Sequence, residues 1–307
     1  MRTRPLLIGT RGSPLALWQA NHVHDLLVRQ GAGDSQLVPI TTSGDTIEAP
    51  LREFGGKGLF TKEIDEALLD GRIDLAVHSM KDLPTELPRG VVIGAVLRRG
   101  DVRDALIARG GETLKQLAPG AVVGTSSLRR QAQLRRLRPD LELIDLRGNV
   151  ETRIKKLDQG KADATLLALA GLERLGLQSH VTEILPAEEM LPAVAQGAIG
   201  IAVREGDEKT KALLQPLNDR ATSIAVNCER SFLKELDGSC RTPIAGLAEI
   251  EDGALHFRGL ILTPDGSAWH EVQMRGPATE GSRIGSAAGK DLLSRAGPDF
   301  LTTFRAS

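Results

Sequence analysis

Apolar and polar positions switch between two periods along most of the chain. A short apolar run at 6–8 leads to Ser13-Pro14, where a helical pattern begins and continues to about Gln30; Ser suits the cap and Pro the first helical position. A strand pattern covers 37–41, a helix follows over 61–70 and is stopped by Gly71, and 73–77 and 91–96 are further strands. Alternation of this kind predicts an α/β unit with a mostly parallel sheet. The polar run Arg98-Arg99-Gly100-Asp101-Val102-Arg103 then breaks the pattern.

The alternation restarts with a strand at 121–124, a helix at 127–137, a strand at 141–146, a helix at 150–159 and a strand at 164–169. This predicts a second α/β unit of similar build. A strand at 198–203 follows a Pro-containing stretch and is free to return to the first unit. From about Ala221 the character changes. One helix (222–236), three strand-like runs (244–250, 255–262, 269–274) and a last helix (281–296) predict a small α+β domain with an antiparallel sheet. The expected division is 1–98 with 196–218, then 101–192, then 221–307. No repeat of fixed period is visible.

Composition narrows the function classes. The formal net charge is -1 over 307 residues, so no global field marks a nucleic-acid binder. Aromatics are 3%, which leaves few platforms for stacking bases. Two cysteines, Cys228 and Cys240, form no C-x-x-C pair and no disulfide framework, and no His cluster has metal spacing. The N-terminal apolar stretch is too short for a signal peptide and no run is long enough to span a bilayer, so a cytoplasmic protein without metal, nucleic acid or membrane partner is expected.

Five constellations could carry chemistry. Gly9-Thr10-Arg11-Gly12-Ser13-Pro14 lies between a strand and a helix N-terminus, where backbone N–H groups and the helix dipole favour an anion. Ser13 can be only a cap and Arg11 only a surface charge; an added anion role is equally open. Gly124-Thr125-Ser126-Ser127-Leu128-Arg129-Arg130 repeats that logic in the second unit, and Arg147 and Arg153 follow its next strand. Ligands of parallel sheets bind at the carboxyl ends of strands, so Arg129, Arg130 and Arg147 are expected on one edge, facing a ligand with several carboxylates or phosphates. Arg135, Arg136 and Arg138 read as a solvated face.

Gly55-Gly56-Lys57-Gly58-Leu59-Phe60 lacks the spacing of a phosphate loop and reads as a Gly-rich loop over a cleft. His78-Ser79-Met80-Lys81-Asp82 follows a strand; Lys81 beside Asp82 can be a plain salt bridge, and His78 a packed core histidine. Gly238-Ser239-Cys240-Arg241 puts a thiol in a turn, where it is either accessible with Arg241 lowering its pKa or a small buried hydrophobe. Cys228 fits the second description better.

Together with Gly56-Lys57-Gly58-Leu59-Phe60, Leu146-Arg147-Gly148-Asn149-Val150 and Ala195-Gln196-Gly197, these stretches occur in one order across nearly the whole chain, and in that order the sequence resembles the porphobilinogen deaminase family. Each motif alone is weak; the ordered set is specific. The resemblance implies two domains like those of periplasmic binding proteins and a third carrying the cofactor cysteine. It implies a covalent dipyrromethane on Cys240, and four porphobilinogens added in turn, each losing ammonia, before water releases hydroxymethylbilane. It implies that Asp82 is the catalytic aspartate, stabilising positive charge on pyrrole nitrogens. Arg11, Ser13, Lys81, Ser127, Arg129, Arg130, Arg147 and Arg153 match positions that hold the acetate and propionate side chains, with Thr125, Ser126 and Gln196 in the same motifs. Lys57 and Phe60 fall in the family's active-site loop. Arg241, after the cysteine, departs from an uncharged residue expected there and leaves the cofactor's surroundings open. A monomer acting on a small-molecule substrate is expected. The competing readings are a non-catalytic binder of a small anion, which has no use for Asp82 and Cys240 together, and a nucleic-acid binder using the 129–138 helix, which the charge and aromatic content disfavour.

Overall fold

The structure is a computed structural model that describes residues 4–46, 60–236 and 242–305. The chain divides into two compact units, residues 1–99 with 198–223 and residues 100–197 with 224–307.

In the first unit, β1 (Leu6–Arg11), β2 (Ser35–Ile40), β3 (Leu75–Ser79) and β4 (Val91–Val96) share a sheet with the chain's tenth strand, β10 (Ile199–Arg204), in the order β2-β1-β3-β10-β4. Strands β2, β1 and β3 pair in parallel, whereas β10 runs antiparallel to both its neighbours. The strand left free by sequence reading thus returns to the first unit and fits between β3 and β4. Helix α1 (Pro14–Arg29) buries Gln19, Ala20, Val23 and Leu27, a helical spacing that places one stripe against Leu6, Ile8, Leu75 and Val77. Past the short turn α2 (Ser43–Thr46), helix α3 (Lys62–Leu69) packs Ile64, Ala67 and Leu68 with Ile73, Ala76 and Ala202 in a second apolar cluster. Apolar clusters with helices therefore flank the sheet, as a buried parallel sheet requires.

The second unit contains two sheets. The larger comprises β5 (Asp104–Ala108), β6 (Val122–Gly124), β7 (Glu142–Ile144), β8 (Ala164–Ala168) and β9 (Glu183–Leu185), in the order β7-β6-β8-β5-β9. Here β5 is the strand antiparallel to both neighbours. Its alternation is clean: Leu106 and Ala108 join the cluster that includes Leu134 of α4 (Leu128–Leu137). Ala105 and Ile107 join Ile154 and Leu157 of α5 (Val150–Asp158) and Leu172 of α6 (Leu169–Arg174). The first unit also contains α7 (Glu208–Leu214).

The smaller sheet is the antiparallel meander β11 (Ile244–Glu251), β12 (Ala254–Leu262) and β13 (Trp269–Pro277), with helices α8 (Arg220–Glu235) and α9 (Gly281–Arg305). Phe232 of α8 meets Phe257 of β12 at 4.9 Å between ring centroids. Helix α9 runs beyond the expected stop at 296; Gly297 at φ 73° breaks it there, and Pro298 opens a second helical stretch.

Sequence reading missed β5, β9, α6 and α7. Strand β5 starts directly behind the charged run and is buried at every position, so it lacks polar alternation. Strand β9 is only three residues long. The predicted α/β class with a C-terminal antiparallel sheet is what the structure contains; the antiparallel β5 and β10 are the exceptions to parallel pairing.

Candidate active site

In the first unit the site grows from the carboxyl ends of β1 and β3. Ser13 caps α1 by accepting from the Ala16 N–H at 3.4 Å, and buried Thr10 donates its hydroxyl to Ala16 O at 3.1 Å, so the turn after β1 is tied down on both sides. Arg11 ends β1 with its guanidinium 4.3 Å from the centroid of the Phe60 ring. Gln19, one and a half turns along α1, donates to Ser79 Oγ at 2.8 Å. A pocket of about 60 Å³ is lined by Arg11, Ser13, Phe60, His78, Ser79 and Asp82, among others. The structure therefore gathers three separate motifs of the first 82 residues at one place.

Asp82 ends a 3₁₀ turn, Met80–Asp82, directly after β3, and its side chain is exposed. The turn is anchored by Met80 N–H donating to Ala198 O at 3.0 Å. Lys81 is half-buried in the same turn. His78 is 5% exposed, and its Nε2 has no partner among the described residues. Burial, with the charge of Arg11 added, pulls its imidazole down to about 4, so the ring is neutral near pH 7. Gln19, Ser79 and Thr61 were not singled out from sequence, because an interior Gln or a strand-end Ser carries no signal until the fold brings α1 and β3 together.

In the second unit, β6 ends at Gly124 and Thr125-Ser126-Ser127 leads into α4. Thr125 is buried, and its Oγ1 accepts from the Ser127 N–H at 3.3 Å. Ser126 Oγ is buried without a partner among the described residues. Arg147 and Arg153 are half-buried; Arg153 Nε donates to Gly148 O at 2.8 Å.

Arg129 and Arg130 differ from the strand-edge ligands expected from sequence: each is 5% exposed, and both fork onto one carboxylate, Asp104, at 2.7 and 2.8 Å. Their other terminal nitrogens donate to Leu191 O and Leu166 O, both at 2.8 Å. Gln196 is fully buried, and its amide donates to Asp104 and to Val102 O. Burial alone would raise the Asp104 carboxyl. Arg129 and Arg130 outweigh it and, with hydrogen bonds from Arg130 and Gln196, hold it ionised far below the ordinary carboxylate range. Asp104 was missed from sequence because it closes a charged run and reads as solvated.

The basic residues expected on a solvated face are partnered. Arg135 donates to Pro264 O, Arg136 stacks on Trp269 at 4.1 Å and pairs with Glu271, and Arg138 pairs with Asp140. Lys57 and Cys240 lie outside the described residues, as does Arg241. Cys228 is fully buried, and burial, reinforced by Glu229, pushes its thiol up to about 12, which makes it inert.

The donor chemistry suits a polyanionic group. Three buried polar atoms in one turn and helix start, Ser126 Oγ, Arg129 Nε and Arg130 Nε, lack partners among the described residues, and all three can donate to a carboxylate.

Comparison with known proteins adds an independent line. Residues 6–212 match the family described as "Porphobilinogen deaminase, dipyromethane cofactor binding domain", and residues 223–294 match "Porphobilinogen deaminase, C-terminal domain". A porphobilinogen deaminase of Nitrobacter hamburgensis is 53% identical over 301 residues, covering 97% of this chain and 95% of the relative. Among solved structures, an arginine-specific periplasmic binding protein of Salmonella typhimurium aligns at 15% identity, covering 72% of this chain and 94% of that one, with a TM-score of 0.43. Immunogenic lipoprotein A of Vibrio vulnificus aligns at 13% identity, 71% and 96% coverage, and TM-score 0.43.

Proposed function

Because the chain belongs to the porphobilinogen deaminase family, it is a hydroxymethylbilane synthase, and we propose how its own residues divide the work. The enzyme condenses four porphobilinogens head to tail with loss of ammonia, on a covalently bound dipyrromethane, and hydrolysis releases the linear tetrapyrrole. The cofactor, when bound, supplies a nucleophilic free pyrrole α-carbon as primer.

In this proposal Asp82 is the catalytic group. A carboxylate fixed on the rigid turn behind β3 faces the positive charge that develops on pyrrole N–H groups as ammonia leaves and the new carbon–carbon bond forms. It also accepts or returns a proton at the reacting centre. Arg11, Ser13 and Lys81 hold substrate carboxylates beside it. Thr125, Ser126, Ser127, Arg129, Arg130, Arg147 and Arg153 hold carboxylates of the cofactor and the growing chain, with Arg129 and Arg130 acting through their Nε–H edges. Cys240 carries the cofactor as a thioether, and Lys57 and Phe60 match the family's active-site loop. The three-domain division at 1–98 with 196–218, 101–192 and 221–307 belongs to the same proposal. So does a monomer working in the cytoplasm without metal, membrane or nucleic acid.

The observation that carries the reading is the pocket where Asp82, Arg11, Ser13 and His78 meet at two strand ends. Two variants test it. Asp82→Asn is expected to lower turnover by ~10²–10³ with the circular-dichroism spectrum unchanged. Cys240→Ser is expected to show the bare chain mass by denaturing mass spectrometry, where the parent gains two porphobilinogens less two ammonias. Full turnover in the first, or retained cofactor mass in the second, removes the role assigned.

A further inference from the structure

The charges around Asp104 do not balance. Two guanidinium groups, each 5% exposed, share one carboxylate at 0% exposure, which leaves one net positive charge in the interior. A buried uncompensated charge is costly, and a carboxylate bound there would complete the pairing. The unfilled capacity is specific: one Nε–H on each arginine and the neighbouring Ser126 hydroxyl.

We propose that Asp104 and Gln196 are positioning residues for cofactor loading: they lock Arg129 and Arg130 so that their Nε–H edges remain available to one carboxylate of the dipyrromethane. The inference rests on the reading of Arg129 and Arg130 as cofactor contacts.

The topology supplies the reason these two residues do it. Strand β5 is antiparallel, so its first residue, Asp104, pairs with Ala168, the last residue of β8. An acid at the start of β5 therefore lies at the carboxyl edge of the parallel strands, where ligands bind. Asp104 accepts Arg129 Nη2 on one oxygen and Arg130 Nη2 on the other, and each arginine is held at a second point by a backbone carbonyl. Two-point fixation of both planar groups fixes where their remaining edges lie.

Gln196 steadies the carboxylate from the chain's second passage between the units, donating to Asp104 at 2.8 Å and Val102 O at 2.7 Å. Its own backbone is held: Gly197, at φ 85°, accepts from the Gly100 N–H at 3.2 Å and from Arg174 at 2.6 Å. A Cβ at Gly197 would lie 2.7 Å from Gly100 O, so this approach of the two passages requires glycine.

The experiment follows covalent loading of the full-length apoprotein by porphobilinogen, read as mass gain against time, alongside circular dichroism. The wild type is expected to gain the cofactor mass. Asp104→Asn is expected to stay at the bare chain mass. Should Asp104→Asn lose its fold, Gln196→Met decides, since it keeps every charge: loading is expected to slow about tenfold, the effect of losing one hydrogen bond to a charged group. Thr182→Val is the control, because it also removes uncharged side-chain hydrogen bonds in the second unit, to Leu106 O and Ala108 N–H, and among the described residues these groups do not anchor either arginine; it is expected to load at the wild-type rate. Normal loading of Gln196→Met, or equal slowing in Thr182→Val, overturns the inference. If Arg129→Met and Arg130→Met fail to load while Gln196→Met and a folded Asp104→Asn load normally, the arginine reading stands and the positioning role alone falls. If the arginine variants also load normally, both fall.

Discussion

Asp65 gives a stability test with a defined pH window. It lies in the first turn of α3, 3% exposed, and Oδ1 has no partner among the described residues. Burial raises its carboxyl from 3.8 to about 6, against a hydrogen bond from Thr61 that favours ionisation. For an acid raised on folding, the folded state binds more protons than the unfolded one between these values. Stability is therefore lost as pH rises from about 4 to about 6. The full difference is about 3 kcal/mol at pH 8 and under ~1 kcal/mol at pH 4. Asp65→Asn keeps an oxygen for Thr61 and removes the charge. It is expected to raise the urea midpoint of the first unit by ~1–2 M at pH 8 and by less than ~0.5 M at pH 4. The chain has two tryptophans, so a Trp269→Phe background leaves Trp18 of α1 to report that unit by fluorescence. An equal gain at both pH values would refute the charge argument, and no gain at pH 8 would show that the carboxylate ionises there without cost.

Other expectations follow from single contacts. Arg11→Lys loses a planar fork and the stacking on Phe60, so KM for porphobilinogen is expected to rise about tenfold in steady-state assays while the thermal midpoint stays within a few degrees. Gly285→Ala would place a Cβ 2.0 Å from Cys228 O, a backbone atom that cannot rotate away. Calorimetry is expected to show destabilisation of about 1–3 kcal/mol or more, because α8 and α9 must separate.

Much of this was legible in the chain. Ser13 and Pro14 announced α1 because cap chemistry is local, and the two Gly-hydroxyl-Arg turns were visible because they use the same local logic. The pocket around Asp82 could be read only in pieces, since Gln19 reaches Ser79 across sixty residues. Burial inverted the reading of Arg129 and Arg130. In sequence they look like the neighbouring Arg135 and Arg136, yet the inner turn of α4 faces Asp104 and the outer turn faces Pro264 and Glu271. No periodicity could distinguish them, because the partner that turns two arginines inward lies on a strand whose uniform burial hides it from pattern reading.

The matching strand orders explain why the motifs repeat and where they diverge. Strand β1 in the first sheet and β6 in the second occupy the same place, next to the strand that pairs with the antiparallel member. Both are followed by a hydroxyl-bearing turn and a helix. The proposed arginine-and-serine carboxylate contacts therefore arise twice from one structural position. The strands beyond them, β3 and β8, are equivalent too, but their ends differ. After β3 comes the Met80–Asp82 turn; after β8 comes Leu169 and the apolar start of α6. The antiparallel partners differ in the opposite sense: β5 opens with Asp104 at that edge, whereas β10 opens with Ile199 opposite Ser79. Each unit thus places an acid at its carboxyl edge where the third strand of the order meets the antiparallel one, after β3 in the first unit and at the start of β5 in the second. Asp82 is exposed and can meet a developing cation, while Asp104 is sealed beneath two arginines and can only hold them. In the proposed function the same architecture assigns Asp82 to catalysis and Asp104 to orientation, and their opposite burial is what supports that division.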